Sequence, residues 1–135
     1  MRMVAAARGQ VSGTPRVILR LEGFMLGALC IWLFAGTGAS WWLFAALILA
    51  PDLGMLLYLA NPRLGATLYN ATHSLIGPAL LAIANLSLAL PMALAIALIW
   101  AGHIAFDRGL GYGLKYPSLF ADTHLGVLGP PRKAG

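Results

Sequence analysis

Charge is what this chain has least of. Only 10% of its 135 residues are Asp, Glu, Lys or Arg, while 60% are hydrophobic. A water-soluble domain covers its surface with roughly 25–35% charged side chains, so an ordinary soluble globule is excluded. Acids are scarcest: Glu22, Asp52, Asp107 and Asp122 are the whole set. The single cysteine, Cys30, rules out an intrachain disulfide. No Gly-x-Ser-x-Gly elbow, Cys/His pairing or Walker pattern is present, which argues against serine or cysteine catalysis and against a phosphate loop. No long alternating apolar/polar pattern is present either, so helices are the way to satisfy the backbone in lipid.

What the chain does have is long apolar runs. A spanning helix takes about 20 mostly apolar residues, and segments near 17–36, 41–60, 66–86 and 90–107 fit. The reading is an all-α fold: a four-helix transmembrane bundle with a Gly/Tyr-rich C-terminal cytoplasmic flap. Residues 1–15 read as a flexible N-terminal tail, 16–128 as a single four-span membrane domain including a flap at 108–128, and 129–135 as a C-terminal tail. Arg16 and Arg20 before the first run imitate a secretory signal, but Glu22 inside it and three further spans favour a retained helix. "GTGAS" (36–40) makes a turn, and Trp41 and Trp42 mark a membrane interface. Pro62 ends span two, and Pro91 suits the start of span four. Gly109, Gly111 and Gly113 are expected to break the last helix after Asp107.

The positive charges set orientation. Arg2, Arg8, Arg16 and Arg20 precede span one, Arg63 lies between spans two and three, and Arg108, Lys115, Arg132 and Lys133 follow span four. With four spans all of them fall on one side, so both termini are expected in the cytoplasm. The net charge of +5 is then a topology signal with some affinity for anionic lipid headgroups. The expected partner is the lipid bilayer; no basic–aromatic surface suggests nucleic acid.

Ionisable groups inside the spans are the informative minority. Glu22, Asp52, His73, His103 and Asp107 come from four different runs and all fall in the half of the bundle nearer the cytoplasm. A charge in hydrocarbon costs several kcal/mol, so such groups face a partner or a wet cavity. Tyr69, Asn70, His73 and Ser74 recur at helical intervals and form one polar stripe on span three. His103 and Asp107 are one turn apart and suited to grip one divalent ion, with Asp52 and His73 completing the set; an Asp/His mixture favours zinc or manganese over copper. The same pair also suits a plain His–Asp hydrogen bond. Pro51 frees the carbonyl of Leu47, giving either a kink that opens a cavity or a simple curve. In the flap, Tyr112, Lys115, Tyr116 and Phe120 read as headgroup-level side chains that return Asp122 and His124 toward the bundle; Asp122 equally suits a cap on a short turn.

These residues carry two resemblances. "APDLGMLLYLANPRLGATLYNATHS" followed by "GHIAFDRGLGYGLKYPSLFADTHLG" resembles a family of small bacterial membrane proteins classified as a domain of unknown function, over Glu22 to Gly126. That resemblance implies a four-helix protein of the bacterial inner membrane. Pro51-Asp52, Thr72-His73-Ser74, His103-x-x-x-Asp107 and Tyr116-Pro117 also look like the inner-membrane metal-dependent hydrolase-like proteins. Those proteins carry His-Arg-Gly before Thr-His-Ser where this chain has "LYNATHS", so one of their histidines is missing here.

Two functions are compatible with this pattern. In the first, Asp52, His73, His103 and Asp107 hold a metal that activates water near neutral pH. Glu22 or Asp122 then serves as general base, and Lys115 steadies an anionic headgroup. In the second, the bundle is non-catalytic and its polar groups fix packing or bind a partner. A proton or ion pathway fits less well, because no ionisable residue reaches the outer half.

Overall fold

A computed structural model describes residues 9–117 and 121–128. Among the described residues, four helical stretches are long and apolar enough to cross a membrane: Gly13–Gly36, Trp41–Leu59, Pro62–Leu88 and Ala93–Leu110. They match the four apolar runs read from the sequence and make the fold all-α, apart from one two-stranded hairpin.

Two of the four stretches are unbroken: α1 (Gly13–Gly36) and α5 (Ala93–Leu110). The two between them are interrupted. The second consists of α2 (Trp41–Leu47) and a 3-10 helix (Ala50–Leu59). Pro51 is the cause: it has no amide for the Leu47 carbonyl and its ring crowds that oxygen. Ten residues is long for a 3-10 helix, and such mid-helix stretches often mark strain or function. The third consists of α3 (Pro62–Thr72) and α4 (Ile76–Leu88). Pro78 plays the same part there toward the Ser74 carbonyl, and Ser74 Oγ accepts from the Ile76 amide at 3.2 Å across the break.

The pair α1/α5 is the most extensively packed in the fold, followed by α3 with the 3-10 helix and α4 with α5. α1 and α5 run antiparallel and close. A Cβ on Gly23 would meet the Gly109 amide nitrogen at 2.6 Å and the Ala105 carbonyl oxygen at 2.7 Å. Small residues let helix backbones approach in this way where lipid supplies no hydrophobic drive. Gly109 lies against the Phe24 ring, where a Cβ would meet it at 2.7 Å, and a single glycine weakens a helix by only about 1 kcal/mol without breaking it. α5 continues to Leu110, and Gly111, at φ 95°, ends it in the left-handed region. Near the far end of α1, Phe34 is wholly buried with Ala95 and Ile99, and its ring lies 5.2 Å from Phe44 of α2.

Exposure is inverted relative to a soluble protein. Trp42, Leu59 and Leu86 are each at least 85% exposed, while His73 is completely buried and Lys115 is 4% exposed. Beyond α5 the chain forms a flap with β1 (Asp122–Thr123) antiparallel to β2 (Gly126–Val127). It is tied to the start of the chain by Val11 N–H to His124 O (2.8 Å) and Tyr116 O–H to Gly9 O (2.8 Å). The start of α1 joins it there: Arg20 Nε donates to Gly109 O at 2.9 Å. Arg16, Arg20, Arg108 and Lys115 are therefore at one end of the bundle. Phe120, residues 1–8 of the N-terminal tail and the C-terminal tail 129–135 lie outside the described residues.

Candidate metal centre

The interruptions bring the polar residues together. Asp52 follows Pro51 in the 3-10 helix, His73 is the residue at which α3 ends, and His103 and Asp107 lie one turn apart on α5. One ligand atom from each falls within 4.8 Å of every other. His73 Nε2 lies 3.1 Å from Asp52 Oδ1, 3.1 Å from His103 Nε2 and 3.4 Å from Asp107 Oδ2. His103 Nε2 lies 3.2 Å from Asp52 Oδ1 and 3.3 Å from Asp107 Oδ2. A tetrahedral ion with bonds of about 2.0–2.1 Å needs ligand–ligand edges of roughly 3.3–3.4 Å. Five of the six edges are of that order, and the sixth, between the two carboxylates, is within 4.8 Å.

A backbone contact orients His73. His73 Nδ1 is 2.9 Å from the Tyr69 carbonyl, which can only accept, so Nδ1 carries the hydrogen. In the neutral ring the Nε2 lone pair then points into the cluster, as metal-bound histidines require. Tyr69 stacks on the His73 ring at 3.7 Å. Ending α3 at His73 strands carbonyls that lipid cannot solvate. α5 supplies their donors: Trp100 Nε1 to Thr72 O at 2.6 Å and an Arg108 guanidinium nitrogen to His73 O at 2.7 Å.

Lys115 closes the site from the flap. Its Nζ stands 4.7 Å above the Tyr69 ring, and it lines one recess with Asp52, Asp107 and Tyr112. Asn70 holds it there by both backbone groups: Oδ1 accepts from Lys115 N–H at 2.7 Å and Nδ2 donates to Lys115 O at 2.8 Å. Burial pushes the Lys115 ammonium down to about 8, with Asp107 and Asp52 opposing in part. In the flap, burial first and the Arg108 charge second lower the His124 imidazole, the Leu114 backbone opposing in part.

Of the residues singled out in the sequence, Asp52, His73, His103 and Asp107 form the cluster, and Tyr69, Asn70 and Lys115 border it. The helix break removes Ser74 from the polar stripe and gives it the Ile76 cap instead. Glu22 is exposed and lines a separate recess with Arg108 and His124. Asp122 is in β1, its carbonyl accepting from the Tyr116 amide, and it is not among the four grouped residues. His124 Nδ1 accepts from the Leu114 amide at 2.9 Å, bracing the loop that carries Lys115. Trp100 and Arg108 were not singled out for these contacts. The available signal was a tryptophan in mid-span, away from the interface where the residue is at home.

No curated protein matches the chain, and no solved structure does. A family model does match, over residues 16–128, and its description assigns no activity. On that match the chain belongs to the family described as a domain of unknown function, DUF4260.

Proposed function

We propose that this protein is a membrane-embedded, metal-dependent hydrolase-like protein whose ion is held by Asp52, His73, His103 and Asp107. The observation that carries the reading is the mutual spacing of four ligand atoms, 3.1–3.4 Å over the five contacts of the two imidazole nitrogens. Two imidazoles and two carboxylates, without thiolate, suit zinc or manganese. Such an ion supplies Lewis acidity and activates water near neutral pH. The chain's own residues do the rest. Tyr69 fixes the orientation of the His73 ring, Arg108 and Trp100 hold the backbone of the break, and Lys115 offers a positive charge beside the ion's position. The family resemblance implies the bacterial inner membrane, and the sidedness of Lys and Arg supports both termini and the flap facing the cytoplasm.

The same atoms lie at hydrogen-bond distance, which favours a second reading: a metal-free His/Asp network that only fixes helix packing. Metal analysis of protein purified without chelator separates the two. One zinc or manganese per chain is expected in the parent, and none in His103→Ala or Asp107→Ala, both still folded. A parent that is metal-free and takes up neither ion would sink the hydrolase reading.

A further inference from the structure

Two recesses of unlike character flank the cluster. One, of about 320 Å³, is lined by Asp52, Met55, Tyr69, Asp107, Tyr112 and Lys115. It lies where α5 gives way to the flap. The other, of about 240 Å³, is lined by Leu47, Ala50, Pro51, Thr72, Ile99 and Trp100, among others. Pro51 and Thr72 immediately precede Asp52 and His73, and Ile99 is one turn before His103, so this groove borders the cluster on its membrane-interior side. Its two side-chain polar groups face backbone: Trp100 Nε1 donates to Thr72 O, and Thr72 Oγ1 lies 3.2 Å from Pro51 O. What remains for an occupant is carbon. A polar pocket carrying a lysine, a metal-ligand cluster and a carbon-lined groove follow one another along α5.

The charges also match a particular occupant. A divalent ion held there would balance the two carboxylates, and Lys115 is a cation that lines the same recess. The groove opens among lipid-exposed helices, where an acyl chain enters without losing water.

We infer that the site receives a membrane amphiphile with an anionic headgroup: the head in the Lys115 recess beside the metal position, the chain in the groove bounded by Ala50, Ile99 and Trp100. This rests on the metal-site reading and names the substrate class of that same site.

The test uses the full chain in detergent, with zinc uptake measured first on the same sample. Three probes are titrated by calorimetry: dihexanoyl phosphatidic acid, inorganic phosphate (the charge without the chain) and dihexanoyl phosphatidylcholine (the chain without net charge). Phosphatidic acid is expected to bind at least tenfold more tightly than either of the others. Lys115→Met should lower that affinity tenfold or more at unchanged zinc stoichiometry, and Lys115→Arg should retain most of it. Ala50→Phe, which fills the groove, should weaken phosphatidic acid but not phosphate. Equal binding of phosphate, equal binding of phosphatidylcholine, or indifference to both Lys115→Met and Ala50→Phe in zinc-loaded protein overturns the inference alone. A parent that takes up no zinc or manganese overturns it together with the metal reading.

Discussion

Asn70 acts through the two bonds its amide makes with one residue of the flap. Asn70→Ala deletes a donor and an acceptor and leaves the Lys115 N–H and C=O in a half-buried place, a loss of about 1–3 kcal/mol. Detergent melting should read that loss, with zinc content unchanged because Asn70 is not a ligand. His124 gives the flap a pH dependence. Its Nδ1 accepts from the Leu114 amide, and burial and Arg108 lower its affinity for a proton. A depressed folded value means that the flap has its full stability above the unfolded histidine value of about 6.5 and loses it as the pH falls below. Protection of the Leu114 amide, corrected for intrinsic exchange, should therefore fall between pH 7 and pH 5. His124→Asn, which keeps an acceptor that does not titrate there, should abolish the fall. The four clustered residues were legible as residues, because ionisable groups are costly in a span. The roles of Trp100 and Arg108 were not, because they answer carbonyls that exist only once α3 stops at His73.

At the scale of elements, the two prolines organise the site. Pro51 was readable as a kink beside Asp52, and the structure turns it into the boundary between α2 and a 3-10 helix. Pro78 interrupts span three in the same way, and hydropathy, which averages over some 20 residues, does not see such a break. Pro78→Ala should let α3 and α4 merge, rotate His73 out of the cluster and weaken zinc binding by about 10–100-fold, the range seen when the support of a ligand is lost. A zinc titration against a chromophoric chelator measures this, and an unchanged affinity would show that the break does not place His73. Gly23→Leu should do the reverse. It forces α1 away from α5, destabilising by about 1–3 kcal/mol, yet α1 contributes no ligand, so folded protein should keep its zinc.

For the whole molecule, span number was plain from apolar run length, and the sidedness of Lys and Arg across four spans predicts cytoplasmic termini. Reporter fusions at residue 38 and residue 135 should report opposite compartments, with the cytoplasm at 135. How the spans pack was not legible, since Leu, Ala and Gly are spread over every face, and only the structure places α1 and α5 in close contact. The distribution of the proposed ligands among the spans has a consequence for biogenesis. Span one carries none, spans two and three carry one each, and the last carries two. A ribosome that has delivered three spans to the bilayer has delivered only half a binding site, with Asp52 and His73 facing each other and no counterpart. On the proposed reading, ion capture waits for the final span, and possession of the ion would record that insertion ran to completion. A chain truncated after residue 92 should enter the membrane and remain empty.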